Sequence, residues 1–436
     1  MATNFLYVNL RTTKASILRP YISFLLKNRT LRYPDFKNYL GMRFAIIMAL
    51  NMQTTIISYM VYRLTKDQLS LGMLGLAEVI PAIGVSLFSG HMVDKREKKG
   101  VLIKCIASYL VLTCLYVLLS RQWFQEKAGV SLTVWLIYAG VFVGGAIRAF
   151  ISPATFALFG TIVPKKFYSN ANVWSSTAWQ MGAVIGPLIG GAMIAIGGFS
   201  ISLGTVFAIE IAALFTLLRI PKQPVYSSEK ESILKSLGQG LKFVFSTQVI
   251  LSALALDMFA VLFGGAVALL PVYADDILKV GEVGFGWLRA APAIGAIIMS
   301  FFLSFIPLKT NPGIKLLLCI AGFGVCTIIF GISTNVVLSF MALLVGGMFD
   351  QISVIIRGTI LQLYTPDNMR GRVAAVSTMF ISSSNEFGAL ESGATAKWMG
   401  TVPAVVFGGI MTLVVVGVTY VKAPILKVLK LEPETD

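Results

Sequence analysis

Apolar side chains along this chain come in long unbroken runs rather than in the two-residue alternation of half-buried strands. The runs fall at 38–62, 71–91, 100–120, 132–160, 171–196 and 199–219, then at 247–273, 284–306, 314–333, 336–363, 372–398 and 402–423. Each holds about 20 residues or more, enough for an α-helix to cross the roughly 30 Å hydrocarbon layer of a bilayer. A spanning barrel needs alternating strands, which are missing, so the expected fold is an all-α membrane protein of twelve transmembrane helices.

Between the sixth and seventh runs lies the only long polar interval, PKQPVYSSEKESILKSLGQG at 221–240, rich in proline, serine and mixed charge. It reads as a linker. The expected organisation is a tail at 1–37, a six-helix bundle at 38–219, a linker at 220–246, a second six-helix bundle at 247–423 and a tail at 424–436. The halves echo each other. GLAEVIPAIG at 75–84 falls on GWLRAAPAIG at 286–295 with an offset of 211, and VPKKFYSNAN at 163–172 falls on TPDNMRGRVA at 365–374 with an offset of 202. Two echoes that preserve span order point to parallel repeats with a pseudo-symmetric pairing and a path between them.

Composition agrees with the pattern: 56% of the 436 residues are hydrophobic and 13% are charged, against roughly 25% charged in a soluble domain. The net charge of +16 would suit nucleic acid, but its placement argues otherwise. Lys and Arg fall mainly in the N-terminal tail, the even-numbered loops and the C-terminus, while the opposite loops hold six: Arg63, Lys66, Arg121, Lys127, Lys279 and Lys397. That asymmetry is the positive-inside pattern and puts both termini in the cytoplasm. The first 37 residues are basic and mixed and show no cleavable signal.

Several chemistries are excluded. Cys105, Cys114, Cys319 and Cys326 all sit inside apolar runs without metal-type clustering and read as packing residues. His91 is the sole histidine, so no His-based metal site, Ser-His-Asp triad or His proton relay can be assembled. No Walker motif is present, so ATP hydrolysis is not expected. The chain is read as having no cofactor, no metal and no enzymatic activity.

Two segments carry sharper signals. GHMVDKREKKG at 90–100, after the second span, ends a helix with glycine and sets a carboxylate beside several cations. As composition, it is also an ordinary basic loop. In the fifth span, GAVIGPLIGG at 182–191 places Gly182, Gly186 and Gly190 four apart on one ridge where another helix can pack closely, with Pro187 adding a local break. The first resembles the signature loop of the major facilitator superfamily, and the second is similar to the antiporter motif of its exporting, proton-coupled members. Later segments, GGAVALLPVYADDIL at 264–278, GFGWLRAAPAIGA at 284–296 and LQLYTPDNMRGRVAAVSTMFISSSNEFGALESG at 361–393, resemble the branch of that superfamily that includes the enterobactin exporter and macrolide efflux proteins. The resemblance implies a gating charge relay of Gly90, Asp94, Lys95, Lys98 and Lys99 with helix ends of the other half. It also implies an antiporter role for Gly182, Gly186, Pro187, Gly190 and Gly191.

Charges inside the spans complete the reading. Each costs at least about 2.5–3.5 kcal/mol near the bilayer centre unless paired or hydrated. They are Arg43, Glu78, Arg148, Glu210, Asp257, Arg289, Asp350, Arg357, Glu386 and Glu391. The resemblance implies that spans one, four, seven and ten line a central cavity. The expected substrate cavity is therefore Arg43, Arg148, Asp257, Asp350 and Arg357, with Phe259 and Phe263 beside Asp257. Arg148 falls on Asp350 under the 202 offset, so the two could face each other, and Asp350 and Arg357 share one helix face. Structural ion pairs between helices are the competing reading. Glu78 and Arg289, equivalent under the repeat, suit a gate or structural role. For proton coupling the order is Asp257, which has no cation within a turn in sequence, then Asp350, which Arg357 could hold ionised, then Glu386.

The expected activity is export of a small organic molecule, drug-like or siderophore, by alternating access in exchange for protons. An importer or facilitator of a small metabolite, and a lipid scramblase or membrane-embedded enzyme, stay open as alternatives. The expected partners are that substrate, protons and membrane lipids, without nucleic acid. The expected setting is a monomer spanning the bacterial cytoplasmic (inner) membrane many times.

Overall fold

The computed structural model describes residues 30–164, 167–222, 233–303, 311–366, 369–427 and 429, without the side chains of 30, 87, 90, 91, 94, 169, 170, 233–237 and 371. Among the described residues there is no strand. The helices are α1 Pro34–Thr65, α2 Gln68–Asp94, α3 Lys98–Leu119, the short α4 Gln122–Ala128, α5 Val130–Ile162, α6 Tyr168–Leu218 and α7 Ile233–Ser246. They continue with α8 Gln248–Phe263, α9 Gly281–Leu303, α10 Pro312–Ile332, α11 Val336–Tyr364, α12 Arg370–Met399 and α13 Thr401–Lys422.

Ten described helical stretches are long and apolar enough to cross a membrane, so the chain is a multi-pass membrane protein. The stretch 171–218 is one of the ten. It belongs to α6, whose 51 residues would extend about 75 Å if straight, more than twice the hydrocarbon thickness. The backbone breaks at Gly198, where φ is 70°, a conformation glycine adopts without steric penalty. The expected fifth and sixth spans are thus two helices in series. Helix α12 is not among the ten because RGRVAAVSTMFISSSNEFGALESG interrupts its apolar character with serines and two glutamates.

Three boundaries differ from expectation. The first helix starts at Pro34, inside the expected tail, because proline is tolerated in a first helical turn. The expected linker contains α7, which packs on α12 and α2. The expected seventh span is broken after Phe263: the chain passes through 3₁₀ turns at Ala266–Leu269 and a π-helical turn at Tyr273–Ile277. The break follows Gly264 and Gly265, with Pro271 just beyond. The four cysteines carry no disulfide.

Packing sorts the helices into two groups. In the first, α1 lies along α6, α2 along α5, and α3 between α5 and α6. In the second, α9 lies along α11, α10 along α11 and α13, and α8 along α12 and α13. The groups meet chiefly through two helix pairs, α2 with α12 and α6 with α9. The repeat offsets interchange these two contacts.

Glycine permits the close approaches, and the same glycines recur under the repeat. A Cβ on Gly191 of α6 would stand 3.0 Å from the Cα of Gly286 of α9, and a Cβ on Gly393 of α12 would stand 3.0 Å from the Cα of Gly72 of α2. Gly191 and Gly393 are related by the 202 offset. Within each half, a Cβ on Gly145 would meet the Glu78 carbonyl at 2.4 Å, and one on its equivalent Gly347 would meet the Pro292 carbonyl at 2.1 Å.

The α6–α9 contact has no room for a larger side chain, since a Cβ on Gly191 would lie 2.4 Å from the Glu282 carbonyl oxygen, whereas one on Gly204 of the same helix would meet nothing within 4 Å. Gly191→Val is therefore expected to destabilise the protein by about 1–3 kcal/mol through overpacking, read as a lower unfolding midpoint in detergent, with Gly204→Val close to wild type. Equal midpoints for the two variants would contradict this packing.

Candidate functional site

At one end of the molecule the two halves are clasped by ions. Helix α1 ends in YMVYRLTK, which places Tyr59, Tyr62, Arg63 and Lys66 on its last two turns. The π-helical turn Tyr273–Ile277 of the second half presents Asp275 and Asp276 to them. Arg63 Nη2 lies 3.0 Å from Asp275 and 2.9 Å from Glu282, and Lys66 Nζ pairs with Asp275. Tyr59 donates to Asp275 at 3.1 Å and Tyr62 to Asp276. The Tyr59 ring stacks on Phe285 with centroids 5.0 Å apart. Lys397 at the end of α12 adds a pair to Asp67 at 3.3 Å. The Gly72–Gly393 and Gly191–Gly286 contacts lie at this end, whereas Gly84, farther along α2, has nothing within 4 Å of a Cβ position.

Below the clasp lies a cavity of about 480 Å³ between the halves. Its walls include Asn51, Gln53, Thr54 and Ser58 of α1, so one face is polar and uncharged. Its charged residues are Glu78 of α2, Arg148 of α5, Arg289 of α9, Asp350 of α11 and Glu386 of α12. Arg148 forms an ion pair with Glu78. Glu386, from the opposite half, is attracted by Arg148 and Arg289 and repelled by Glu78. With all four ionised, Glu78, Arg148, Arg289 and Glu386 form a cluster of zero net charge that straddles the two halves. A proton on Glu386 would leave that cluster with one excess positive charge and remove its attraction across the seam.

Of the expected substrate-cavity residues, Arg148 and Asp350 line this cavity. They do not pair with each other, since Arg148 is taken by Glu78. Asp257 and Arg357 are buried as an ion pair between α8 and α11, with side chains 6% exposed each, outside the cavity lining. Arg357 Nε also donates to Ser353 at 3.2 Å. Asp257, which has no cation within a turn in sequence, is thus paired with an arginine of another helix, and Arg357, expected to hold Asp350 ionised, attracts Asp350 as well. The partner comes from another helix 100 residues away, where sequence spacing within one helix gives no warning. Arg43 donates to the Ser175 carbonyl at 3.1 Å. Phe259 is 43% exposed, and Phe263 lies at the end of α8, its carbonyl against Gly408 of α13; neither lines the cavity.

Glu78 and Arg289 were set apart as gate or structural residues, yet both line the cavity beside Glu386. The signal that marks them is their equivalence under the 211 offset, which makes them two symmetry-related charges at one seam. The clasp acids Asp275, Asp276 and Glu282 had no such signal.

The gating segment is described in part. The side chains of Gly90 and Asp94 lie outside the described residues, Lys95 is exposed and Lys98 is buried. Lys99 donates to the carbonyls of Leu218, at 3.0 Å, and Ile220. It thus neutralises the C-terminal end of α6 in its own half, where a cation suits the helix dipole. The expected relay placed its partners in the other half. In the antiporter segment, Gly182, Gly186 and Gly190 pack on α1 against Ile47, Met48 and Met52, while Gly191 and the Pro187 carbonyl face Gly286 of α9. The ridge therefore serves packing within its half, and its end serves the seam.

Two helix groups related by a repeat, enclosing a charged cavity at their seam, define a membrane transporter rather than an enzyme. The sequence profile of the Major Facilitator Superfamily matches residues 39–389, and the chain belongs to that family. The enterobactin exporter EntS of Shigella boydii serotype 18 is 26% identical over 404 residues, covering 90% of this chain and 93% of the relative. EntS of Escherichia coli O1:K1 is 25% identical over 403 residues with the same coverage. Among solved structures, a bacterial homologue of the human lysosomal transporter Spinster, in an inward-facing and occupied conformation, superposes with a TM-score of 0.67 at 15% identity, covering 92% of this chain and 99% of that one. A D-xylose-proton symporter superposes with a TM-score of 0.68 at 13% identity, covering 89% and 97%. Both are likenesses of fold.

The Asp257–Arg357 pair is dry, so removing one partner strands a charge. Arg357→Ala is expected to cost about 3–5 kcal/mol of stability, and the Asp257→Ala/Arg357→Ala double variant less than the sum of the two single changes. Unfolding of the four proteins in detergent measures the coupling; additive effects would contradict a direct pair.

Proposed function

We propose that this chain is a twelve-span exporter with both termini in the cytoplasm of a bacterium, exchanging a small siderophore-like organic molecule for protons by alternating access. The observation that carries this reading is the cluster of Glu78, Arg148, Arg289 and Glu386 in the cavity, built from both halves beneath an ion clasp at one end. Splitting the long stretch at Gly198 and adding the polar α12 to the apolar stretches brings the span count to twelve. The clasp carries Arg63, Lys66 and Lys397, three of the few cations expected outside, so the clasped end is the outer one and the cavity is served from the cytoplasm.

The mechanism follows from charge. In this conformation the clasp closes the outer exit while substrate enters from the cytoplasm. Glu386 is the acid whose protonation changes the attraction across the seam, and Asp350 is the other cavity acid held as a coupling candidate, Glu78 being paired with Arg148. In the outward-open state a proton from outside neutralises Glu386, and its attraction across the seam is lost while substrate leaves. Release of that proton to the cytoplasm restores the ionised cluster. Tying that cycle to substrate occupancy converts a proton gradient into outward transport. The relatives named enterobactin exporters support a siderophore-type cargo, and the cavity suits one in having both cationic groups and a wall of Asn51, Gln53, Thr54 and Ser58 for hydrogen bonds.

The test uses enterobactin as probe in everted membrane vesicles and in proteoliposomes of the purified protein. An inside-acid gradient is expected to drive its uptake into everted vesicles. Glu386→Gln is expected to lose roughly tenfold or more of the gradient-driven rate, the equivalent of about 1.4 kcal/mol, while retaining gradient-free exchange of labelled for unlabelled enterobactin. A gradient response equal to wild type in Glu386→Gln would remove that residue from the coupling step, and flux in the opposite direction would overturn export.

A further inference from the structure

Two membrane carboxyls, Glu210 and Glu391, stand outside the cavity lining and the ion pairs described above, and Glu210 is the more deeply buried. Glu210 sits on the second segment of α6, beyond Gly198, and is fully buried. The Thr113 hydroxyl of α3 lies 2.9 and 3.0 Å from its two oxygens. The Gln53 side-chain amide of α1 donates to that same hydroxyl at 2.8 Å. Thr113 is fully buried and Gln53 nearly so, yet Gln53 belongs to the cavity wall. The three side chains thus form a polar chain from the seam of the protein into the interior of the first half.

Among the described residues no cation meets Glu210 along this chain. The titratable side chains that sense it are Tyr109 and Tyr116, both on α3, and neither carries positive charge. From α1 the group that reaches toward it is the neutral Gln53. The cations of the cavity are committed elsewhere: Arg148 holds Glu78, and Arg289 is attracted by Glu386 and Glu78. Every other acid at the cavity or beside it has an arginine acting on it. A carboxylate in that position would be a buried charge answered by one hydroxyl, which is costly in a low-dielectric interior. As the neutral acid, its O–H donates to Thr113, which also accepts from Gln53, and all three groups remain hydrogen-bonded.

We propose that Glu210 is a second proton-binding site of this transporter, loaded in the clasped conformation and exchanging with the cavity through Thr113 when Gln53 moves aside. The step conserves protons. The Glu210 O–H bond breaks as its proton passes to the Thr113 oxygen, and the Thr113 hydroxyl proton passes to a water of the cavity. The products are a Glu210 carboxylate and a hydronium ion. Gln53 is the positioning residue, because its amide fixes the Thr113 hydroxyl and separates it from the cavity. The inference extends the proposed proton exchange by adding a site on the first half that the repeat symmetry does not duplicate: the 211 and 202 offsets take Glu210 to Val421 and Thr412, neither of which is an acid.

Infrared difference spectroscopy of the full chain in lipid tests this without any transport assay. At neutral pH the wild type is expected to show a protonated-carboxyl band that Glu210→Gln lacks, and Thr113→Val, which keeps the shape but removes the relay oxygen, is expected to slow exchange of that band with D2O by about tenfold, the loss of roughly one hydrogen bond. A spectrum of Glu210→Gln that keeps every protonated-carboxyl band of the wild type would overturn the assignment. So would a Thr113→Val exchange rate equal to wild type in a protein with an unchanged unfolding midpoint. Should enterobactin transport move no protons while both infrared results hold, the antiport reading fails and Glu210 stands as a proton-binding group.

Discussion

A charge inside hydrocarbon has no water to return to, and that constraint organises this molecule more than any apolar contact. Insertion of an unpaired charge costs several kcal/mol, so each ionised side chain within the spans has to find a partner, a wet surface or a proton. Arg357 answers Asp257 in a dry pair, Arg148 answers Glu78 at the edge of the cavity, and Glu386 stands between the two cavity arginines and a competing glutamate. The dry pair holds helices together. The wet cluster spans two bodies, so its energy depends on how those bodies sit against each other, and that dependence is the physical basis for using it in transport.

The seam between the halves is made soft by design of its side chains. Glycine against glycine at Gly72–Gly393 and Gly191–Gly286 brings backbones together without interlocking bulky groups. The ion clasp above them is exposed in part: Arg63 and Lys66 have side chains 40% and 52% exposed, so each of its pairs contributes only modestly. The interiors of the halves are built the other way, with buried aromatic and aliphatic side chains such as Phe36, Tyr39 and Ile320 packed within them. Weak, small-residue contacts between rigid bodies favour movement of the bodies over deformation within them.

Much of this was legible in the amino-acid sequence because hydropathy and repetition are properties of the chain taken locally. Runs of apolar residues announce helices that must cross a bilayer, and the paired echoes at 75–84 with 286–295 announce two halves. The pairing of charges was not legible, because it is decided across helices. Asp257 looked uncompensated since its arginine lies 100 residues ahead, and Arg357, two turns from Asp350 on its own helix, pairs with Asp257 while also attracting Asp350. Glu78 and Arg289 were visible as a symmetric pair, but a gate or structural role suited them in sequence, whereas both line the cavity. The clasp acids Asp275 and Asp276 were hidden because the π-helical turn that aims them at α1 follows from a local break at Gly264 and Gly265 whose geometry hydropathy does not encode.

The central claim is that the state of Glu386 sets how the two halves sit. It is tested most directly by pulsed electron-spin distances in lipid between labels at Gln68→Cys on α2 and Val283→Cys on α9, placed in a background without the four native cysteines. The account predicts a short distance at high pH, a growing long-distance population as pH falls, and the long population at every pH in Glu386→Gln. A distance distribution that ignores pH in the wild type, or one that follows pH identically in Glu386→Gln, would contradict it.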